Sequence, residues 1–382
     1  MLERFKDKLH RVLHVARTYT DFYRHACPPI YDTDTDTSQN TGTIKNLAYY
    51  VGCEDGRSDR YRVYNLVSAL KERGIRTDVY KLRSLPFLLK NTDYDVVVIF
   101  REDRYRRIHM EKILSTLKKR KIPVIYDTDD FTIENKSLLT TKNIIKIINR
   151  CAAITVTTKF LAELFEKSTG KTCYVIKNTI NEKQVYVAEK TTVKKDKGKI
   201  KIVYMSGTNT HNRDFEQAEE GVLYALEKYP DVEFHIFGPL NLSWKFAPYE
   251  GRIFRYPYMD YLKLQVQVSE MDINIAPLVL NDFNNSKSEL KIFESALLKI
   301  PTVCSPTEPY AEIIKNRENG YIASTPDEWK AAFKELIENE SKRLSVGEAA
   351  YRDFVPKFRA NEEIKNVIKI YEEISAKRRN ER

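Results

Sequence analysis

Apolar runs and amphipathic stretches alternate along this chain in a way that predicts two consecutive α/β halves. In the first half, Lys45–Gly52 is an apolar run closed by a glycine, and Tyr61–Arg73 has helical spacing up to Gly74. Thr77–Tyr80 is a second short strand. Val96–Phe100 is five apolar residues in a row, as expected for a central strand covered on both faces. A helix to about Lys119, a strand at Pro123–Tyr126, helix 140–150, strand Ala153–Val156, helix 159–168 and strand Tyr174–Ile176 complete this half. Strand, loop, helix, strand is the order of a parallel sheet with crossover helices.

The second half repeats the pattern. Strand Ile200–Met205 runs into the polar loop Ser206–Asp214, helix 215–228 and strand Val232–Phe237, which ends at Gly238. Arg252–Tyr258 reads as strand and loop, then helix 260–269, strand Ile273–Leu278 and a polar loop at Asn281–Asn285. A helix is predicted to open at Ser286, with Ser286 and Ser288 as N-cap residues and Leu290, Phe293, Leu297 and Leu298 as its apolar stripe. Pro301 stops it, and Thr302–Cys304 starts another strand. Helices follow at Trp329–Glu338, Lys342–Arg352 and Asn361–Lys377. The expected organisation is a basic helix and linker over 1–44, an α/β domain over 45–181, a Lys-rich linker over 182–199, a second α/β domain over 200–355 and a final helix over 356–382.

Three stretches carry candidate chemistry. A helix start at Ser286 would offer free N–H groups and a partial positive charge to an anion, with Lys287 and Lys291 adding full charges. Glu294, one turn deeper, is placed to accept hydrogen bonds from sugar hydroxyls. The competing reading, a surface helix with ordinary Lys/Glu pairs, stays open. The loop after Met205 is a second anion cradle: Gly207 lets backbone N–H groups approach a phosphate, and Thr208, His211 and Arg213 follow it. In the first half, Asp127-Thr-Asp129-Asp130 gathers three carboxylates at the tip of a strand, as a base or as ligands of an acceptor hydroxyl. A helix cap with loop charges is the alternative. Arg57, Arg60 and Arg62 follow the first strand, where open α/β sheets place ligands.

Composition narrows the function classes. The chain has 382 residues, enough for two cored domains, and its 64 Lys and Arg against 54 Asp and Glu give a net charge of +10, which suits anionic partners. Residues 2–19 form a basic amphipathic pattern that fits either an anionic membrane surface or packing on the protein itself, with the second slightly favoured. No apolar run approaches a membrane span, and the charged N-terminus gives no secretory signal. The five cysteines are scattered without a CxxC pair, which points to free thiols in a reducing cytoplasm and no zinc site. Asp32–Thr37 has Thr37 and Thr43 where a calcium loop needs glycine and glutamate, so it reads as a polar linker. No GxGxxG follows the first strand, which weakens a dinucleotide-dependent oxidoreductase. No aromatic–basic RNA motif or zinc module supports nucleic acid as a partner.

The segment from Glu294 through Pro301 to Ser305 resembles the Glu-x-x-x-x-Gly-x-Pro-Val-Val-Ala-Ser segment of GT-B nucleotide-sugar glycosyltransferases, family 4 in particular. Glu312–Tyr321 is similar to a downstream segment of that family, and Val175–Thr179 to the segment that closes its first domain. The resemblance covers roughly residues 200–350 well and 45–180 loosely. It implies two Rossmann-like domains facing a central cleft and a retaining sugar transfer from a nucleotide-diphosphate donor to a glycan, polymer or lipid-linked acceptor. No metal or other cofactor is expected, because lysines and a helix dipole do a cation's work. The second domain would hold the donor, through Gly207, Thr208, His211, Arg213, Gly238, Ser286, Ser288 and Glu294, with Lys291 and Lys287 catalytic. Arg57, Arg60 and Asp127 would lie on the acceptor side, with Asp129 or Asp130 the base if the reaction inverts. Bacterial surface polysaccharide or teichoic-acid-type assembly at the inner membrane face is the implied setting. The family usually has a glutamate eight positions before Glu294; here Ser286 stands there. A non-catalytic nucleotide- or polyanion-binding protein is the alternative.

Overall fold

The computed structural model describes residues 29–32, 34–53, 56–90, 93–105, 110–133, 137–193, 198–207 and 212–380. The basic stretch at 2–19 lies outside them. Two compact units divide the chain: the described residues up to Thr179 with those from Glu363 onward, and Ile180–Glu362.

The first unit is built on a parallel sheet of six strands: β1 (Asn46–Val51), β2 (Arg76–Tyr80), β3 (Val96–Phe100), β4 (Val124–Asp127), β5 (Ala153–Val156) and β6 (Cys173–Val175). Their spatial order is β2-β1-β3-β4-β5-β6. All five residues of β3 are buried, as a continuous apolar run in a sheet covered on both faces must be. Tyr50, Val97, Ile99, Tyr126, Ile154 and Phe165 belong to the core on one face. Elsewhere in this unit the buried hydroxyls of Tyr49 and Tyr371 meet at 2.8 Å, and Tyr371 comes from the last helix, Ala360–Asn380. The stretch around Asp32 is more than a polar linker. Ile30 bridges Val79 of β2, and the buried Asp32 carboxylate accepts from the Thr77 N–H and pairs with Lys71 at 3.0 Å. Asp32, read as part of a polar linker, thus ties an edge strand.

The second unit repeats the plan with β7 (Ile200–Met205), β8 (Val232–Phe237), β9 (Ile253–Tyr256), β10 (Ile273–Ala276), β11 (Thr302–Cys304) and β12 (Tyr321–Ile322). These run parallel in the order β12-β11-β10-β7-β8-β9. Phe215, from helix Asn212–Lys228, stacks on Phe234 of β8 with centroids 5.6 Å apart, and Phe246 and Trp329 join the same core. Residues 182–190, expected as linker, form a helix. Asn181 and Gln184 make a reciprocal capping box, and Val185 supplies a buried anchor. Among the described residues, no helix is long and apolar enough to cross a membrane.

One close approach constrains this unit. Gly347 lies inside helix Glu340–Phe358, and a Cβ there would fall on the carbonyl oxygen of Lys299, whose own φ is +58°. Alanine is the better helix former by about 1 kcal/mol. The clash with fixed backbone should outweigh that gain, so Gly347→Ala is expected to destabilise the second unit by about 1–3 kcal/mol. Chemical denaturation checks this, with Gly251→Ala, whose Cβ would meet open space, as the near-neutral control.

Candidate functional site

In the second unit, the chain leaves β7 toward β8 and β9 on one side and returns to β10, β11 and β12 on the other. The carboxyl ends of β7 and β10 therefore flank a topological switch point, where open α/β sheets bind ligands. At the end of β7, the Ser206 N–H donates to Phe237 O at 2.9 Å, and the Ser206 hydroxyl donates to Pro239 O. Gly207 (φ +79°) and Gly238 (φ +93°) turn side by side, and a Cβ on Gly238 would sit 3.2 Å from the Gly207 nitrogen. Glycine keeps both turns unstrained and the backbone bare. Thr208 and His211 lie outside the described residues. Arg213 is on the first turn of helix Asn212–Lys228 with its side chain exposed.

Asp214, the next residue, is buried and joins the two flanks. Its Oδ1 accepts from the Val279 N–H at 3.0 Å and from Asn284 Nδ2 at 2.9 Å. This holds the start of the helix against the segment after β10. That segment corrects the expected N-cap. Asn281 caps a single turn, Asp282–Asn285, and the longer helix, Leu290–Leu297, starts only after Glu289. Asn281 accepts from the Asn284 N–H at 2.8 Å and so takes the capping role five residues early. Ser286 instead closes that turn: its hydroxyl is fully buried and donates to Phe283 O at 2.7 Å. Ser288 and Glu289 are buried beside it. A donor-facing role for Ser286 has no free hydroxyl behind it.

The two lysines do converge here. Lys287 Nζ stands 3.8 Å from Asp214 Oδ2 and 5.0 Å from the Phe283 ring centre. Lys291 Nζ is enclosed, has no hydrogen-bond partner among the described residues and lies 4.8 Å from the Tyr204 ring centre. A cation over an aromatic ring gains about 0.5–2 kcal/mol. Removing an ammonium from water costs several kcal/mol, so the ring does not compensate. Burial pulls the Lys291 pKa down to about 7; Lys287 pulls it the same way, and Asp214 opposes them. Glu294, one turn on, is half-buried and is met by Gln184 Nε2 at 3.4 Å, while the Gln184 carbonyl accepts from Gln265 Nε2 at 2.7 Å. At the end of β11, Ser305 Oγ accepts from the Leu278 N–H, and the buried Thr307 hydroxyl has no partner. Gly207, Gly238, Lys287 and Lys291 thus gather around the β7 end of the sheet with Asp214, Tyr204 and Asn284. No local pattern assigns a role to those last three. Asp214 stood in the quoted loop, but an acid in a first helical turn also reads as a partner of the helix dipole.

The first unit treats its carboxylates differently. Asp127 is buried, with Oδ2 3.0 Å and Oδ1 2.6 Å from Arg62, and Thr155 also donates to Oδ1 at 2.6 Å. Arg62 is fully buried and donates further to Ile176 O. Asp127 is therefore a structural anchor, not an acceptor ligand. Asp129 and Asp130 both pair with Arg101, at 3.1 and 3.2 Å, and Arg101 also reaches Ser58. A base drawn from this pair would work against that fork. Gly52, at the end of β1, packs so closely on β3 that a Cβ would lie 2.6 Å from Phe100 O, and Arg104 clamps the buried Glu102 there. Arg60 lies over the Tyr61 ring at 4.0 Å, and Arg57 is exposed. Among the described residues, no three His, Cys, Asp or Glu side chains gather as a metal site.

Residues 216–369 match the family model described as glycosyl transferase-like. No curated protein sequence matches the chain. Among solved structures, TarM of S. aureus, in complex with UDP and alpha-GlcNAc-glycerol, is similar with a TM-score of 0.56 and 14% identity over 77% of this chain and 59% of that one. The chain thus spans about three fifths of TarM. HepE of Anabaena, in complex with UDP and glucose, gives 0.64 and 11% over 86% of this chain and 100% of that one. Sucrose-phosphate synthase of Thermosynechococcus elongatus gives 0.63 and 10% over 87% and 99%. The fold is GT-B, and most of the second unit is similar to the glycosyl transferase-like family model.

Three variants separate structural from ligand-directed charge. Asp127→Asn should cost about 3–5 kcal/mol by leaving Arg62 buried without its carboxylate, and an apolar Arg62→Met, Asp127→Leu pair should recover much of that. Denaturant titration reads both. Lys291→Met should instead raise stability at pH 7 by about 1–3 kcal/mol. In the parent, the unfolded chain keeps the lysine proton up to about 10.5 while the folded chain loses it near 7. Stability through this group therefore rises with pH between those values. Melting curves across that window should lose that slope in the Met variant.

Proposed function

We propose that this protein transfers a sugar from a UDP-sugar donor to a glycan or lipid-linked acceptor, with the donor diphosphate held at the β7–β10 switch point. The observation that carries this reading is the enclosed Lys291 Nζ, without a hydrogen-bond partner among the described residues, at the same end of the sheet as Lys287 and the Gly207 turn. Lys287 is paired with Asp214, and the enclosed Lys291 amine is a second group that can carry positive charge where a diphosphate would need it. Charge that develops on the leaving diphosphate is met by groups already in place. UDP is favoured because TarM and HepE, which share the fold, are described with UDP bound. Glu294 would hold the donor through its hydroxyls, with Gln184 fixing the carboxylate.

The lysines do the work of a divalent cation, so the transfer needs no metal. Arg101 engages both Asp129 and Asp130, which supports a retaining course without a protein base. The net charge of +10 suits work at an anionic cytoplasmic membrane face, on an acceptor of the surface-polymer kind. Lys287 then positions the diphosphate while remaining tied to Asp214.

A thermal-shift series with UDP, GDP, CDP, ADP and dTDP tests this, since a ligand of the folded state raises its stability by mass action. UDP should give the largest shift, unchanged by magnesium. Lys287→Ala should abolish that shift and lower turnover by about 10²–10³. Absence of a shift with every diphosphate would overturn the reading.

A further inference from the structure

We propose that donor binding takes up one proton: Lys291 is an uncharged amine in the free protein and becomes an ammonium when the diphosphate arrives. The inference deepens the donor-site reading above and rests on it.

The geometry around Nζ is that of a group built to carry charge but left without a counter-charge. It is enclosed and without a hydrogen-bond partner. The Tyr204 ring, its centre 4.8 Å from Nζ, offers a π face and not a counter-charge. The charged and titratable groups facing it come from three elements. Lys287, in the turn before its own helix, repels it. Asp214, from helix Asn212–Lys228, attracts it, but that carboxylate is committed: one oxygen takes two hydrogen bonds and the other faces Lys287. Tyr204, from β7, is neutral, and its own hydroxyl is pushed up by burial. Glu289 and Glu294 stand on either side along the helix. The buried amine therefore sheds its proton in the low-dielectric site, and burial holds it near neutrality at physiological pH.

A diphosphate reverses this balance. Its oxygens would give the ammonium the acceptors it lacks and a counter-charge that also offsets Lys287. Both effects favour the charged form, so the pKa rises on binding and the proton comes from solvent. A UDP-sugar is the right probe, because its phosphates are esterified on both sides and do not titrate near neutrality. Any proton exchanged then belongs to the protein.

Titration calorimetry with UDP-glucose, in buffers of different ionisation enthalpy, measures the exchange. At pH 8 the apparent enthalpy should vary with the buffer by close to one proton taken up, and the uptake should fade toward pH 6. Affinity should weaken about tenfold per pH unit above 7 and level off below it. Lys291→Arg keeps a permanent charge, so it should bind UDP-glucose without proton uptake and without that pH slope. Wild-type binding at pH 8 with no buffer dependence would overturn the coupling while leaving the donor site intact. Failure of UDP-glucose to bind the wild type at any of these pH values would overturn the donor-site reading and the coupling with it.

Discussion

The second unit depends on one electrostatic imbalance: two lysine side chains share a single carboxylate. Asp214 meets Lys287 at 3.8 Å and spends its other oxygen on Val279 and Asn284. Those two bonds clamp the start of the helix after β7 to the turn after β10. The same carboxylate thus sets the shape of the switch point and limits its own capacity to neutralise charge. Lys291 is what remains, enclosed over Tyr204 with no acceptor. Folding carries that cost because the apolar cluster beneath, with Ile292, Phe293, Ala296 and Leu297 on the same helix, more than offsets it.

Both sheets are parallel and six-stranded, but their strand orders differ and they use the switch point in opposite ways. In the first unit the end of β1 is pressed onto β3 at Gly52, and Glu102 is locked by Arg104 and Tyr50. Arg62 answers Asp127, and Arg101 answers Asp129 and Asp130. Carboxylate and guanidinium are matched almost group for group, an arrangement that is costly to break and hard to recruit for proton transfer. In the second unit the turns at the sheet's end are the glycines Gly207 and Gly238, and Lys291 has no carboxylate of its own. Matched charge makes a scaffold; unmatched charge makes a site for an ion.

Much of this was legible in the sequence. Strand periodicity located all twelve strands of the two sheets except the two-residue β12, because parallel strands buried on both faces are written as short apolar runs. Gly207 and Gly238 stood out as glycines after strands, whereas Lys287 and Lys291 read equally well as surface charges until the family resemblance singled them out. Long-range partners were not legible. Arg62 and Asp127 are 65 residues apart, and no local rule joins them. The serines at 286 and 288 misled for a local reason. Asn281 and Asp282 form an equally good start signal, and the chain uses the earlier one.

Serine at 286 also bears on the charge balance. The GT-B glycosyltransferases that the chain resembles usually carry glutamate at that position. Here the side chain is fully buried, with its hydroxyl returned to Phe283 O. A glutamate in that place would have to be desolvated or paired, and Lys287 is the cation one residue away. Pairing them would release Asp214 toward Lys291 and bring the site close to neutral. With serine, the position contributes no charge, so Asp214 stays with Lys287 and Lys291 keeps no carboxylate of its own. The substitution that looks like a lost donor contact therefore also preserves the electrostatic drive for an anion, by keeping the site short of one negative charge.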